Sequence, residues 1–244
     1  MSTDFHIIIP ARMASSRLPG KLLLEFSGKT ILEHVFLKAL QVPAKSVTIA
    51  TDDEQIFAVA NGFGAAVLMT DKNHQSGTER VAEASRLLGI KSTDIIVNLQ
   101  ADEPQMPPEL LVQVASMLQA EDNDWATLYW PIDNFADWQN PNVVKVVMTD
   151  NNQALYFSRS PIPYFRDYPL QLPQAYRHIG VYAYSNHSLQ KFVQSPSNHL
   201  EQFECLEQLR ALSLGMRIKL QKARSLPGQD INTAADFARL LQIT

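Results

Sequence analysis

The chain has 244 residues, of which 45% are hydrophobic and 19% are charged, a composition typical of globular proteins. Its 21 basic and 25 acidic residues give a formal net charge of −4, so we do not expect a broad nucleic-acid surface. The length predicts one large domain, or one domain with a subdomain, around a substantial core. Neither a charged-then-apolar leader nor an apolar run of about 18 residues occurs, so we expect a cytoplasmic protein without a membrane span.

The first half of the chain alternates between strand and helix patterns. An apolar, β-branched run over 5–9, ended by Pro10, predicts a buried parallel strand. Ser76 or Thr78 is suited to cap the helix that opens at Gly77. Further strands are predicted at 47–50, 65–69 and 94–99, and helices at 30–40, 53–61, 77–88 and 107–119. This order predicts an α/β fold with a mostly parallel sheet and helices on both faces.

The second half has a different pattern. Its strand-like segments are not separated by regular helical patterns, so we expect an antiparallel extension of the sheet. The single cysteine, Cys205, lies in a helical pattern without a metal-site spacing and is predicted to be a buried core thiol. The segments concerned are 126–129, 142–148, 154–157 and 178–184.

The loop after the first strand is strongly cationic. It carries Arg12, Arg17 and Lys21, together with the hydroxyls of Ser15 and Ser16, and no acidic residue lies within 12–21. At the carboxyl end of a first strand, such a loop predicts a cradle for a polyanion such as a triphosphate. A solvated basic turn is the alternative interpretation.

Two common phosphate-binding motifs are excluded. The Walker motif requires glycine where Ser15 stands and serine or threonine where Leu22 stands. The dinucleotide-binding fingerprint fails because Gly62 and Gly64 lack the third glycine and precede an apolar run instead of following one.

Polar side chains also follow two later strands. Asp102 stands just beyond the fourth strand, where a carboxylate beside bound phosphates is suited to hold Mg²⁺. A turn residue before Pro104 is the alternative. The segment 74–80 opens a helix with small and polar residues that can approach a base edge and a phosphate, although capped helix starts have a similar pattern.

Nine stretches in chain order resemble the 3-deoxy-D-manno-octulosonate (Kdo) cytidylyltransferase family, the CMP-Kdo synthetases. They are IIPAR (8–12), SRLPGK (16–21), ATD (50–52), HQSGTER (74–80), VNLQADEP (97–104), VKVV (144–147), ALYFSR (154–159), RHIGVY (177–182) and LEQLR (206–210). The resemblance implies a nucleotide-diphospho-sugar transferase-like fold, Mg²⁺, a homodimer and a role in lipopolysaccharide synthesis in the cytoplasm of a Gram-negative bacterium. It also implies one nucleotidyltransferase domain over 1–244, with a nucleotide-binding part (1–122) and a sugar-binding and dimerisation part (123–244).

The resemblance also assigns site residues. Arg12, Arg17 and Lys21 would meet the CTP triphosphate and, with Asp102 as metal ligand, form the catalytic group. The rest of the nucleotide would contact Ser76, Gly77, Arg80 and Gln100. The sugar acid would contact Arg159, His178, Tyr182, Glu207 and Gln208.

The residues themselves allow a check on Glu207 and Gln208. Apolar side chains at positions 200, 203, 206 and 209 recur at helical spacing, so these two polar residues stand beside the apolar stripe. They are therefore free to point into a pocket, and a solvated helix flank is equally consistent with the pattern.

Two positions depart from the family pattern. Ala101 stands where the family usually has glycine, which adds one methyl group beside Asp102. The second metal ligand is expected in a Gly-Val-Asp-Thr-like segment near the C-terminus, where this chain reads PGQDINT (227–233). Alignment through Thr233 and Asp236 places Asn232 at the aspartate position, whereas alignment through Pro227 and Gly228 favours Asp230. Both side chains offer oxygen ligands, and the choice stays open.

We expect the reaction to be nucleotidyl transfer. The anomeric hydroxyl of the sugar acid attacks the α-phosphorus of CTP, and pyrophosphate leaves while the cations and Mg²⁺ stabilise its charge. Three alternatives to cytidylyl transfer to Kdo stay open. The acceptor could be the 8-amino-8-deoxy variant of Kdo, or the activity could be a different nucleotidyl transfer, such as one to sialic acid or with a uridylyl donor. The third alternative is a non-catalytic nucleotide-sugar binding protein.

Overall fold

The computed structural model describes residues 4–15, 17–119, 123–228 and 230–243. Its first half alternates strands and helices, and the predicted elements there are confirmed, with ends that shift by one or two residues. In chain order the elements are β1 (Phe5–Ala11), a 3₁₀ turn (Lys21–Leu23), β2 (Glu25–Phe26), β3 (Lys29–Thr30), α1 (Ile31–Ala39), β4 (Ser46–Thr51), α2 (Glu54–Gly62), β5 (Ala66–Met69), α3 (Gly77–Leu87), β6 (Ile95–Asn98) and α4 (Pro108–Gln119).

The second half confirms the four predicted strands and contains further helices and one further strand. A short helix separates the first two of these strands, contrary to expectation, and helices and a further strand follow the last one. The elements are β7 (Trp125–Pro131), α5 (Phe135–Gln139), β8 (Lys145–Met148), β9 (Ala154–Ser158), β10 (Tyr176–Ser185), α6 (Asn186–Val193), α7 (His199–Glu204), α8 (Gln208–Ser213), β11 (Ile218–Lys222) and α9 (Ala234–Ile243).

The main sheet has the strand order β11-β7-β10-β6-β1-β4-β5. Strands β6, β1, β4 and β5 are parallel, and β11 is parallel to β7, whereas β10 is antiparallel to both of its main-sheet neighbours, β6 and β7. Strand β8 pairs antiparallel with β10 and β9, which forms the extension. The expected α/β fold, mostly parallel with an antiparallel extension, is therefore confirmed.

The strand β1 shows why both faces of the sheet are covered. Successive side chains of a strand point to opposite faces. Phe5, Ile7 and Ile9 belong to a buried cluster with residues of α1, α2 and α4, whereas Ile8 belongs to another with residues of α3, α6 and α8. Burial on both sides thus explains the continuous apolar run, and polar residues lie in the loop that follows the carboxyl end of the strand.

The prediction of one helix through positions 200–209 is wrong. Helix α7 ends at Glu204, and Cys205 adopts a left-handed conformation with φ of 50°, after which α8 begins at Gln208. This reversal takes Phe203 out of the apolar stripe and leaves it 81% exposed. Cys205 itself is exposed, so the expected buried thiol is also wrong. No helix within the described ranges is long and apolar enough to cross a membrane.

The cap of α2 offers a test of the fold. Asp53 accepts hydrogen bonds from the backbone N–H groups of Gln55 and Ile56, each at 2.9 Å. We expect Asp53→Ala to lower the free energy of unfolding by about 1 kcal/mol, because it leaves two amide donors without that acceptor. Urea denaturation measures the change, and Asp53→Asn, which keeps an acceptor, is the control. Equal losses in both variants would contradict the capping role.

Candidate active site

A cleft of about 310 Å³ opens at the carboxyl ends of β1 and β6, beside the start of α3. Ligands of open α/β sheets bind at this edge. All the residues predicted for the nucleotide line the cleft, as do the predicted metal ligand Asp102 and, from the second half of the chain, Glu207 and Asn232. The nucleotide residues are Arg12, Arg17, Lys21, Ser76, Gly77, Arg80 and Gln100.

The loop after β1 folds back toward the sheet. Gly20 has φ of 68°, a left-handed conformation that glycine adopts without strain, and the 3₁₀ turn starts at the next residue. Leu22, only 4% exposed, anchors this turn in the core. The turn thereby carries Lys21 from the first strand to the end of β6. Ser16, one of the two hydroxyl residues predicted for the loop, lies outside the described residues.

The Lys21 ammonium lies among three oxygen atoms from two distant segments. Its Nζ is 2.5 Å from Asp102 Oδ2, 2.9 Å from the carbonyl oxygen of Ile231 and 3.4 Å from Asn232 Oδ1. Arg17 also donates to Asn232 Oδ1, at 2.9 Å. The side-chain oxygens of Asp102 and Asn232 therefore converge on one positively charged atom, and the arrangement can hold a cation.

Carboxyl groups gather behind this point. Burial, Asp102 and Asp230 raise the pKa of Glu103 well above its ordinary value. Burial and the charge of Asp102 likewise raise the pKa of Asp230. Asp230 accepts a hydrogen bond from the side-chain amide of Asn232 and lines a neighbouring cavity, whereas Asn232 lines the cleft. Of the two candidates for the second metal ligand, Asn232 is thus the one that faces the Lys21 ammonium.

The start of α3 closes the cleft on the opposite side. Ser76 is its N-cap and accepts a hydrogen bond from the backbone N–H of Glu79 at 3.2 Å, which decides between Ser76 and Thr78. A Cβ atom on Gly77 would approach the ring of Pro10 to 3.3 Å and Gln100 Oε1 to 3.8 Å. Glycine therefore lets the start of α3 approach β1 closely, with the positive end of the helix dipole at the cleft.

Arg80 lines the cleft but is not a free cation. Its side chain is 3% exposed, and its guanidinium pairs with Asp52 at 2.9 Å and donates to the hydroxyl of Thr70. Asp52 follows directly after β4, the strand next to β1. The pair joins α3 to the sheet edge, and the Asp52 carboxylate neutralises the charge of Arg80, which the family resemblance assigned to nucleotide binding.

The residues predicted for the sugar are divided between several places. Glu207 is at the cleft. Burial raises the pKa of its carboxyl group, although hydrogen bonds from the hydroxyls of Thr78 and Ser76 partly offset this rise. Two nearby groups, Tyr182 OH and Gln208 Nε2, are buried with no hydrogen-bond partner among the described residues. The sequence interpretation missed Tyr184 and Asn98, whose buried side chains interact with each other. Because Tyr182 lies opposite Asn98 in the sheet, Tyr182, Tyr184, Asn98, Gln208 and Glu207 form a buried polar cluster beside the cleft.

His178 lines a separate cavity of about 170 Å³, together with Arg177, Gly180, Glu103 and Asp230. Burial and the adjacent Arg177 lower the pKa of His178 to about 3, so the ring is neutral at physiological pH. Arg177 and Glu103 were missed as candidates, although both stand inside the stretches RHIGVY and VNLQADEP.

Arg159 lies with the antiparallel extension and is absent from the described lining of both cavities. Its Nε donates to the carbonyl oxygen of Glu204 at 2.7 Å, and a terminal nitrogen donates to that of Pro141 at 3.0 Å. The structure therefore places its guanidinium on backbone carbonyls and does not bring it together with His178 and Glu207.

Substitution of Arg80 distinguishes a structural role of its ion pair with Asp52 from a role in ligand binding. We expect Arg80→Ala to lower the free energy of unfolding by about 2–4 kcal/mol, because it leaves the partly buried Asp52 carboxylate unpaired. Arg86→Ala removes an exposed arginine from the same helix and is the matched control. Denaturation with urea measures both. Wild-type stability in Arg80→Ala, combined with weaker nucleotide binding, would instead make Arg80 a direct nucleotide contact.

Comparison with known proteins agrees with the resemblance. The model of the Cytidylyltransferase family matches residues 6–218. The chain is 50% identical over 237 residues to the 3-deoxy-manno-octulosonate cytidylyltransferase of Legionella pneumophila (strain Corby), covering 97% of this chain and 95% of the relative. It is 45% identical over 254 residues to the protein of that name from Pasteurella multocida (strain Pm70), covering 99% and 98%.

Solved structures agree as well. A structure of CMP:2-keto-3-deoxy-manno-octonic acid synthetase in complex with CTP superposes with a TM-score of 0.90 at 38% identity, over 98% of both chains. A 4-diphosphocytidyl-2C-methyl-D-erythritol synthase, at 16% identity and a TM-score of 0.63, shares the fold. The chain belongs to the cytidylyltransferase family and, within it, to the 3-deoxy-manno-octulosonate cytidylyltransferases.

Proposed function

We propose that this enzyme transfers the cytidylyl group of CTP to Kdo, giving CMP-Kdo and pyrophosphate for lipopolysaccharide synthesis. The observation that carries the proposal is the convergence of Arg17, Lys21, Asp102 and the start of α3 on one cleft at the sheet edge. Such a cleft suits a triphosphate, and near full-length likeness to enzymes named for this reaction supports the choice of substrates.

Arg12, Arg17 and Lys21 bind the triphosphate in this proposal. Arg12 and Arg17 are exposed, so they can reach a ligand without leaving a buried position. Their charge, with that of Lys21, stabilises the negative charge that develops on pyrophosphate as it leaves. The residues do little covalent chemistry, because phosphoryl transfer depends mainly on in-line positioning and charge neutralisation.

Asp102 and Asn232 hold Mg²⁺ in this proposal. Their oxygens share the Lys21 ammonium, so the site already accommodates a positive charge, and hard oxygen donors fit this ion. Within the described ranges, no three His, Cys, Asp or Glu side chains form a complete metal site. Mg²⁺ commonly takes one or two protein ligands and completes its shell with phosphates and water. When bound, it would supply charge neutralisation and lower the pKa of the attacking hydroxyl.

Glu207, Gln208 and Tyr182 of the polar cluster contact the sugar acid in this proposal, and His178 contacts it from the neighbouring cavity. The Tyr182 hydroxyl and the Gln208 amide have no hydrogen-bond partner among the described residues, which suits a ligand with many hydroxyl groups. A homodimer and a cytoplasmic location complete the proposal, on the basis of the family resemblance alone.

The decisive experiment measures pyrophosphate release with four nucleoside triphosphates and a panel of 2-keto sugar acids. We expect release with CTP and Kdo, and dependence on Mg²⁺. Preference for 8-amino-8-deoxy-Kdo or a sialic acid would change the assigned acceptor. Preference for UTP would change the donor, and binding of CTP and Kdo without any release would leave a non-catalytic binding protein.

Removal of either loop cation tests the triphosphate site. We expect Arg17→Ala and Lys21→Ala each to lower kcat/KM for CTP roughly tenfold to hundredfold, because charge-assisted contacts contribute about 1.5–3 kcal/mol. Arg166→Ala, which removes an arginine that is 86% exposed, is the control. Wild-type kinetics in both variants would move the triphosphate to another place.

Three substitutions test the metal ligands. We expect Asp102→Asn to lower kcat at least ~100-fold, because metal stabilisation of the transferring phosphate contributes several kcal/mol. Because Asn232 faces the cleft and Asp230 does not, Asn232→Ala should raise the Mg²⁺ concentration for half-maximal rate more than Asp230→Ala does. The reverse order would make Asp230 the ligand, and normal turnover of Asp102→Asn at low Mg²⁺ would contradict the site. Circular dichroism checks that each variant is folded.

A further inference from the structure

An irregularity in β10 lies opposite Thr127. In the pairing with β7, Ile179 lies opposite Leu128, but Tyr182 lies opposite Thr127, so Gly180 and Val181 form a bulge. β-Bulges commonly re-aim side chains next to binding sites. The Thr127 side chain is 0% exposed, and it fills this bulge from the neighbouring strand.

The hydroxyl of Thr127 has three polar neighbours. Its Oγ1 is 2.8 Å from the carbonyl oxygen of Val181, 3.0 Å from that of Ile179 and 2.9 Å from Nε2 of His178. A hydroxyl carries one hydrogen, and a carbonyl oxygen can only accept. If that hydrogen pointed at His178, two carbonyl oxygens would face a bare oxygen at close range. The hydroxyl therefore donates to the carbonyls, and Nε2 of His178 donates to Oγ1.

The position of the hydrogen on Nε2 determines the state of the second ring nitrogen, Nδ1. Burial and the adjacent Arg177 disfavour the imidazolium, with a pKa of about 3, so the ring carries one hydrogen. The other ionisable groups at the same cavity are Glu103 and Asp230, and the rings of Phe157 and Tyr182 pack against the imidazole. With the hydrogen on Nε2, Nδ1 has a free lone pair. No hydrogen bond to Nδ1 is present among the described residues.

We propose that Thr127 is a positioning residue that fixes His178 in the Nε2–H tautomer, so that Nδ1 accepts a hydrogen bond from a hydroxyl group of the sugar. The assignment to a sugar hydroxyl rests on the proposed function. His178 and the other sugar-binding residues then recognise different parts of the ligand, because the lone pair of a neutral Nδ1 repels a carboxylate. The carboxylate of the sugar acid is then bound by other donors, and His178 selects for a hydroxyl at its own position.

Nitrogen-15 NMR of the ligand-free enzyme labelled at histidine tests the tautomer directly. The chain has six histidines, and the His178 signals are assigned by their loss in His178→Gln. At pH 5 we expect the pattern of a neutral ring with the hydrogen on Nε2. A hydrogen on Nδ1, or an imidazolium pattern, overturns the proposal whatever reaction the enzyme catalyses. If the tautomer is as expected but the enzyme accepts no sugar acid, the proposed function is wrong, and so is the assignment of a sugar hydroxyl as the partner of Nδ1. Only the assignment of the tautomer would then stand.

Two substitutions of Thr127 test the consequence for the substrate. Thr127→Ser keeps the hydroxyl, whereas Thr127→Val keeps the shape and removes it. We expect Thr127→Val to raise KM for the sugar acid about tenfold and to leave KM for CTP unchanged, with the Nε2–H pattern lost. Thr127→Ser should retain both. Equal losses for CTP and sugar acid in Thr127→Val, or an unchanged tautomer, would reduce Thr127 to a purely structural residue.

Discussion

The contact between Lys21 and Asp102 organises the cleft, since it joins the loop after β1 to the end of β6. The ammonium lies 2.5 Å from the carboxylate and also touches Ile231 and Asn232 near the C-terminus. One cation thus draws together three segments that are far apart in the chain. It lies at an edge rich in carboxyl groups, where burial and the charges of neighbouring carboxylates raise the pKa values of Glu103 and Asp230.

The sheet dictates that this contact forms where it does. Both faces of β1 and β6 are covered by helices, so polar side chains can project only from the strand ends. Because the two strands are parallel neighbours, their carboxyl ends lie side by side, and cations from one meet carboxylates from the other. In the proposed reaction the Lys21 ammonium would leave Asp102 for phosphate oxygen, and Asp102 and Asn232 would then be available to hold Mg²⁺.

Local pattern was sufficient for the main-sheet strands and the α-helices up to α4 and for the edge that holds the cleft, because apolar periodicity and strand ends are properties of short segments. It did not reveal the 3₁₀ turn or the short strands β2 and β3. It was not sufficient where long-range pairing decides. The charge of Arg80 is neutralised by Asp52 from another strand end, and Arg159 is held by the backbone of Glu204. The left-handed Cys205 broke a helix that the spacing predicted as continuous. Glu207 still reaches the cleft, but from the start of a new helix.

A crystal structure with CTP and Mg²⁺ bound would show directly whether the contact between Lys21 and Asp102 marks the nucleotide site. We expect the triphosphate against Arg12, Arg17 and Lys21, with the Lys21 ammonium moved from Asp102 to phosphate oxygen and the metal between Asp102 and Asn232. A nucleotide bound elsewhere, with the contact between Lys21 and Asp102 intact, would contradict this expectation.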